Sequence, residues 1–189
     1  MIFVSLGTQD KPFVRLLDYL EHSDIKDKII VQAGFTDYES KKFEIHKYLD
    51  KDDFDKYIDE ADLVICHGGV GTIVSCLNKN KKVLAVPRLS KYKEHQNDHQ
   101  LQIVNAYYQK GYLVMMNDGD DFDDKVREAL NFKPKKFVSN NDLFVKKLKE
   151  YIKTLDPVFG RSFAESAKNF LQNRQKKELR HILDYKNVK

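Results

Sequence analysis

The sequence is sparing with the residues that cross-link or turn a chain. Two cysteines, Cys66 and Cys76, stand in apolar surroundings and form no CxxC pair. That excludes a disulfide framework and fits reduced, buried thiols in a cytosolic protein. No apolar run approaches the ~18 residues needed to cross a bilayer. The amino terminus, MIFVSLGTQD, has no basic lead and too short an apolar run for a secretory signal. Glycine is scarce as well, with eight in 189 residues. Yet three of them, Gly68, Gly69 and Gly71, fall inside the single stretch ICHGGVGTIVSCL at 65–77. A tight turn is one reason for such a cluster, and a cradle for a phosphate is the other.

What is present supports one folded domain. Hydrophobic residues make up 41% and charged residues 33% of the chain, enough for a core and against wholesale disorder. The net charge of +4 is uneven. Residues 161–189 carry eight basic and three acidic side chains, so the basic excess lies in the tail. Such a tail is either a solvated helix face or a surface for an acidic partner or an anionic membrane. It lacks aromatic–basic alternation, so no nucleic-acid partner is expected.

Short apolar runs alternate with helical patterns along residues 1–155. Strands are read in MIFVSL, KIIVQAG, KFEIHKYL, DLVIC, KVLAVP and YLVMM, the third being the most exposed. Helices are read in PFVRLLDYLEH with Pro12 near its start, DDFDKYIDEA, TIVSCLNKN, NDHQLQIVNAYYQKG, DFDDKVREALNF and NDLFVKKLKEYIKTL. Alternation of this kind predicts an α/β fold, a doubly wound parallel sheet covered by helices on both faces. DPVFGRS then breaks the pattern. Residues 156–189 are read as a linker and a basic amphipathic helix, opened by the capping box SFAE and carrying an apolar stripe through Phe163, Ala167, Phe170 and Leu171.

In a doubly wound sheet, ligands bind beyond the carboxyl ends of the strands. Four loops follow strands and stand out: GTQDKP at 7–12, QAGFTDY at 32–38, HGGVGT at 67–72 and RLSKYKEHQNDHQ at 88–100. HGGVGT lies between a strand and a helix, where close backbone approach and unpaired N–H groups suit a phosphate or diphosphate. Thr72 either caps that helix or donates to a ligand. His67 either donates to a phosphate oxygen or holds the turn. The loop lacks the lysine of a P-loop and is not a GxGxxG fingerprint. On this reading Gly69→Asp abolishes nucleotide binding with the fold intact. EHQNDHQ packs donors and acceptors suited to sugar hydroxyls, and capping explains part of it. His95 and His99 share HxxxH spacing but lack a third ligand, so no metal site is assigned. DGDD at 118–121 contains a superficial DxD but is read as a helix start.

The pairing of HGGVGTIVSCL with KKVLAVPRLSKYKEHQNDHQLQI resembles the C-terminal, UDP-sugar-binding half of the GT-B glycosyltransferases of family 28. FVSLGTQDKPFVRLLDYL is similar to the start of the half-sized catalytic subunits of that family, of the bacterial capsule and exopolysaccharide type. The resemblance spans roughly residues 1–155. It implies that Gly68, Gly69, Gly71 and Thr72 hold the diphosphate of a UDP-sugar, with Gly7, Thr8 and Gln9 nearby and His67 on the border. Gln32, Gly34 and Thr36 are implied to border the uracil or the sugar. Glu94, His95, Asn97, Asp98, His99 and Gln100 are implied to face the donor sugar. Ser75 stands where many relatives carry an acid that grips the ribose.

The resemblance further implies an inverting transfer of a hexose, whether galactose, glucose, glucuronate or N-acetylglucosamine, to a polyprenyl-diphosphate-linked saccharide. It implies a membrane-anchored partner subunit that supplies the acceptor side, and a cytoplasmic location peripheral to the inner membrane face. The UDP-sugar is the donor substrate, and no cofactor is expected. The general base is expected on the acceptor side, so no catalytic residue is assigned in this chain. Two alternatives are a non-catalytic UDP-sugar-binding or activating subunit of a partner transferase, and a stand-alone enzyme such as an epimerase. The second fits poorly with a single α/β domain.

Overall fold

A computed structural model describes residues 1–139 and 141–154. The elements run β1 (Ile2–Ser5), α1 (Val14–His22), β2 (Ile29–Gln32), β3 (Glu44–His46), α2 (Lys51–Glu60), β4 (Leu63–Cys66), α3 (Val70–Asn78), β5 (Val83–Ala85), α4 (His99–Gln109), β6 (Val114–Met115), α5 (Phe122–Asn131) and α6 (Asn141–Thr154). One six-stranded sheet forms in the order β3-β2-β1-β4-β5-β6, with every pairing parallel. The doubly wound α/β architecture expected from the alternation is therefore the observed one.

The central strands β1, β2 and β4 are buried along their whole length. That is why they read as continuous apolar runs instead of alternating ones. Alternate residues point to opposite faces. Ile2, Val4 and Leu6 pack with Leu16, Leu17 and Leu20 of α1 and with Phe122, Val126 and Ala129 of α5. Phe3, Ile30 and Val64 pack on the other face with Ile58 of α2, Ile73, Cys76 and Leu77 of α3, and Val104 of α4. Both thiols lie in this second layer. Burial raises Cys66 well above the ordinary thiol range and pushes Cys76 up to about 12. Both are protonated core residues.

Helix starts follow local capping. Asp50 caps α2 by accepting from the Asp53 N–H, and Asp121 caps α5 by accepting from Asp124. The superficial DxD is thus a cap and turn. Among the described residues no group of three or more His, Cys, Asp or Glu is placed to hold a metal ion. α1 begins at Val14, two residues beyond Pro12. Phe13 is held out of helical geometry because its N–H donates to the buried Thr36 Oγ1 at 2.9 Å.

The chain separates into two compact units, Met1–Val138 and a second starting at Ser139. Within the second, α6 exposes Leu143, Phe144, Leu148 and Tyr151. The expected linker, capping box and basic helix at 156–189 lie outside the described residues. Among the described residues no helix is long and apolar enough to cross a membrane.

Candidate functional site

The sheet order reverses at β1: β2 and β3 continue to one side, β4 to β6 to the other. α1 leaves β1 on one face and α3 leaves β4 on the opposite face, so the loops part at this switch point. A crevice of about 490 Å³ opens there. Its lining includes Gly7 and Thr8 after β1, Gln32 at the end of β2, and His67, Gly69, Gly71 and Thr72 after β4. These seven come from three sequence-distant loops, and all were expected at a ligand site.

The glycines of HGGVGT serve different ends. A Cβ on Gly68 would lie 2.7 Å from Gln100 Cβ and 2.9 Å from Val104 Cγ2, so this glycine lets the loop pack against α4. Its N–H is already bonded to Gln100 Oε1 at 3.2 Å. A Cβ on Gly69 would lie 2.2 Å from His67 Nε2, and one on Gly7 would lie 2.5 Å from the same ring. Gly7 and Gly69 therefore make room for an imidazole. This corrects the expectation that Gly69→Asp would spare the fold. Gly71 differs: a Cβ there meets nothing within 4 Å. It sits in the first turn of α3, where alanine is the better helix former by about 1 kcal/mol. The fold gives no reason for this glycine, and it lines the crevice.

His67 is clamped to β1. Its N–H donates to Ser5 O at 3.2 Å, and Nδ1 lies 3.3 Å from the same oxygen. A carbonyl only accepts, so Nδ1 carries the proton. Burial pushes the imidazole down to about 4, helped by the positive charges of Arg88 and His95 and opposed by the Ser5 carbonyl. At neutral pH the ring is uncharged, and it holds the turn. The N–H groups of Val70, Gly71 and Thr72 are the first of α3 and find no acceptor among the described residues. With the helix dipole they make the crevice favourable to an anion.

Five wall residues escaped the sequence reading: Ser5 at the end of β1, and Leu49, Asp50, Lys51 and Phe54, in the loop after β3 and the start of α2. The loop after β3 has no glycine or histidine to draw notice. Its signal was positional only, since every strand-following loop of a parallel sheet ends on the same edge.

The other expected residues are placed away from this crevice. Gln9 is half-buried and outside the lining. Gly34 adopts φ +62° against the backbone of Gly7, whose oxygen would lie 2.3 Å from a Cβ. Thr36 is buried and bonded to Phe13, as above. Ser75 lies one turn beyond Gly71 on the same face of α3, also outside the lining.

The EHQNDHQ loop is largely self-satisfied. Glu94 is buried and paired with Arg15 through two bonds of 2.9 and 2.8 Å, and it accepts from the Leu89 N–H. Gln100 accepts from Gly68 and from Arg88. Asp98 accepts from the Ser90 N–H at 2.8 Å, and Asn97 Oδ1 from the His99 N–H at 3.1 Å. Glu94 and the Gln100 oxygen are thus committed to hydrogen bonds within the protein. His95 is half-exposed, and Asn97, Asp98 and His99 remain exposed. Arg88, which the sequence reading passed over, organises the loop. It is 1% exposed, and its guanidinium donates to the carbonyls of Leu6, Lys11 and Glu94. Burial lowers it to about 10, opposed by Glu94 and Asp10, and it stays charged.

Comparison with solved structures agrees with this geometry at the level of fold. A glycotransferase of kitacinnamycin matches with a TM-score of 0.52 at 17% identity, over 68% of this chain and 33% of that one. SnogD, a glycosyltransferase of Streptomyces nogalater, matches with 0.51 at 19%, over 69% and 34%. Among curated proteins, UDP-N-acetylglucosamine transferase subunit ALG13 of Candida albicans is 27% identical over 81 residues, 43% of this chain and 26% of that protein. ALG13 of Cryptococcus neoformans is 33% identical over 84 residues, 43% of this chain and 40% of its own length. Human ALG13 is 30% identical over 125 residues, 59% of this chain and 10% of its own length. The chain thus spans well under half of the curated relatives it matches. The profile of the glycosyltransferase family 28 C-terminal domain matches residues 1–156. By that match the chain belongs to the glycosyltransferase family 28 C-terminal domain family.

Proposed function

We propose that this chain is the donor-binding subunit of an inverting glycosyltransferase. It takes a UDP-hexose and delivers the sugar to a polyprenyl-diphosphate-linked saccharide, with the acceptor side supplied by a membrane-anchored partner. One observation carries the reading. At the switch point, the open N–H groups of Val70, Gly71 and Thr72 face a crevice bordered by Gly71, a glycine the fold itself does not require. Such an arrangement suits the diphosphate of a nucleotide-sugar. In a direct displacement the same dipoles stabilise the charge on departing UDP, and attack from the opposite side of the sugar gives a β-linkage.

The names of the curated relatives favour N-acetylglucosamine as the hexose. They lend nothing to the capsule or exopolysaccharide setting, so the acceptor is stated here only by its chemistry. Exposed Asn97, Asp98 and His99, with half-exposed His95, are the residues of this chain left to meet the donor sugar. The general base is assigned to the acceptor side, and the basic tail to the partner or to anionic lipid.

The test is binding of UDP, UDP-glucose, UDP-galactose, UDP-N-acetylglucosamine and UDP-glucuronate to the chain, followed by transfer assays with and without a co-expressed membrane partner. Micromolar binding of UDP, with transfer only when the partner is present, is expected. Failure of every UDP compound to bind overturns the reading.

A further inference from the structure

Charge divides sharply along this chain. Residues 1–132 carry 18 basic and 23 acidic side chains, whereas residues 133–189 carry 15 basic and six acidic ones. The division falls just before α6, whose sequence NDLFVKKLKEYIKT holds four lysines against Asp142 and Glu150. At 3.6 residues per turn, Phe144, Val145, Leu148, Tyr151 and Ile152 gather on an arc of about 120°. Lys147 stands at one border of this arc and Lys149 at the other, with Lys146 and Glu150 on the far side.

The apolar arc is open. Phe144 is 63%, Leu148 44% and Tyr151 62% exposed, and Lys147 and Lys149 on its borders are exposed as well. By contrast, α1 and α5 bury their apolar stripes against the sheet. A helix as short as α6 is marginal in water without a surface to receive its apolar face.

The placement of charge says which surface fits. A lysine on each border lets both aliphatic stems lie along an apolar layer while both ammonium groups reach phosphates beside it. Phenylalanine and tyrosine rings suit the boundary between headgroups and acyl chains. The positive charge extends well beyond the helix, through residues 133–189, as attraction to an anionic surface requires. At 14 residues α6 is too short to cross a bilayer, so the fitting orientation is in the plane.

We infer that α6 is an interfacial helix that lies flat on anionic phospholipid. Phe144, Leu148 and Tyr151 enter the boundary below the headgroups, and Lys147 and Lys149 pair with lipid phosphates. The inference goes beyond the donor-site reading and stands or falls independently of it. It gives the chain a lipid contact of its own, ahead of residue 156, with no partner subunit required.

The sequence contains no tryptophan, so one introduced indole reports on α6 alone. Full-length Phe144→Trp and Glu150→Trp are titrated with vesicles of phosphatidylcholine, without and with phosphatidylglycerol, and with brominated acyl chains as quenchers. On the anionic vesicles the emission of Phe144→Trp is expected to shift to the blue and to be quenched, while that of Glu150→Trp, on the far side, keeps its position. Phosphatidylcholine alone is expected to give neither change at the same lipid concentration. In the Phe144→Trp background, Leu148→Gln weakens vesicle binding about tenfold, and so does the pair Lys147→Gln and Lys149→Gln. Only the second loss disappears at about 1 M salt. UDP affinity is expected to be unchanged in every variant, which separates this result from the transferase reading. An indole in Phe144→Trp that stays in water on anionic vesicles overturns the inference. Equal quenching of Glu150→Trp overturns it too. So does a blue-shifted emission of Phe144→Trp before lipid is added, because protein, from residues 156–189 or from a second copy, then covers the arc.

Discussion

Two loops of this chain look alike as sequence and differ as structure. HGGVGT after β4 and RLSKYKEHQNDHQ after β5 both follow central strands, and both concentrate residues that suit a ligand. The second is the more polar, yet several of its polar groups are spent on the fold: Glu94 on Arg15 and Leu89, Gln100 on Gly68 and Arg88, Asp98 on Ser90. The first has few side chains and leaves N–H groups open. A binding site is marked by capacity left unsatisfied, and density of polar residues alone does not reveal that. The two loops are also joined, because Gln100 Oε1 accepts from Gly68 N and from Arg88 N. The β5 loop is thus a buttress for the β4 loop.

Variants that separate buttress from cradle differ in what they cost the fold. Arg88→Met removes the donors to Leu6, Lys11 and Glu94 carbonyls and is expected to cost about 3–5 kcal/mol in urea unfolding. Less than about 1 kcal/mol would show that the network is not the support described here. Gly69→Ala forces its Cβ onto the imidazole and is expected to cost about 1–3 kcal/mol. Its expected signature is displacement of His67, visible in the imidazole NMR signals. Glu94→Gln keeps the shape but removes the charge opposite Arg15, at about 1–2 kcal/mol in the same unfolding experiment.

A pH series probes the clamp on His67. The ring titrates near about 4 in the fold against an ordinary 6.5, so the unfolded chain binds the proton first. Its contribution to stability is complete above about 6.5 and is lost as pH falls from there towards about 4. His67→Asn should flatten the stability curve over that window. An unchanged slope would mean that the ring is not held in its uncharged form.

Much of the fold was legible because burial on both faces writes apolar runs into β1, β2 and β4, and because Asp50 and Asp121 sit where caps are needed. The crevice was legible through Gly7, Thr8, His67, Gly71 and Thr72, since strand-following loops must share one edge. What stayed hidden depends on partners distant in sequence. Nothing local marks Arg88, whose acceptors lie some 80 positions away at Leu6 and Lys11. Glu94 reads as a sugar ligand until Arg15 is placed beside it. Ser5 reads as one more strand residue until the last rung is seen to face a cavity. The role of Gly69 depends on a ring two residues earlier folding back over it.

The central claim is that the start of α3 at Gly71 receives the diphosphate, and Gly71→Asp tests it most directly. Open space surrounds the position, and a carboxylate in the first turn of a helix is favourable, so the fold should be unchanged or slightly stabilised. The same carboxylate repels a diphosphate. The measurement is UDP affinity by calorimetry beside the thermal midpoint: a midpoint at or above wild type with affinity reduced at least about a hundredfold is predicted. Unchanged UDP affinity in a fully folded variant would contradict the account.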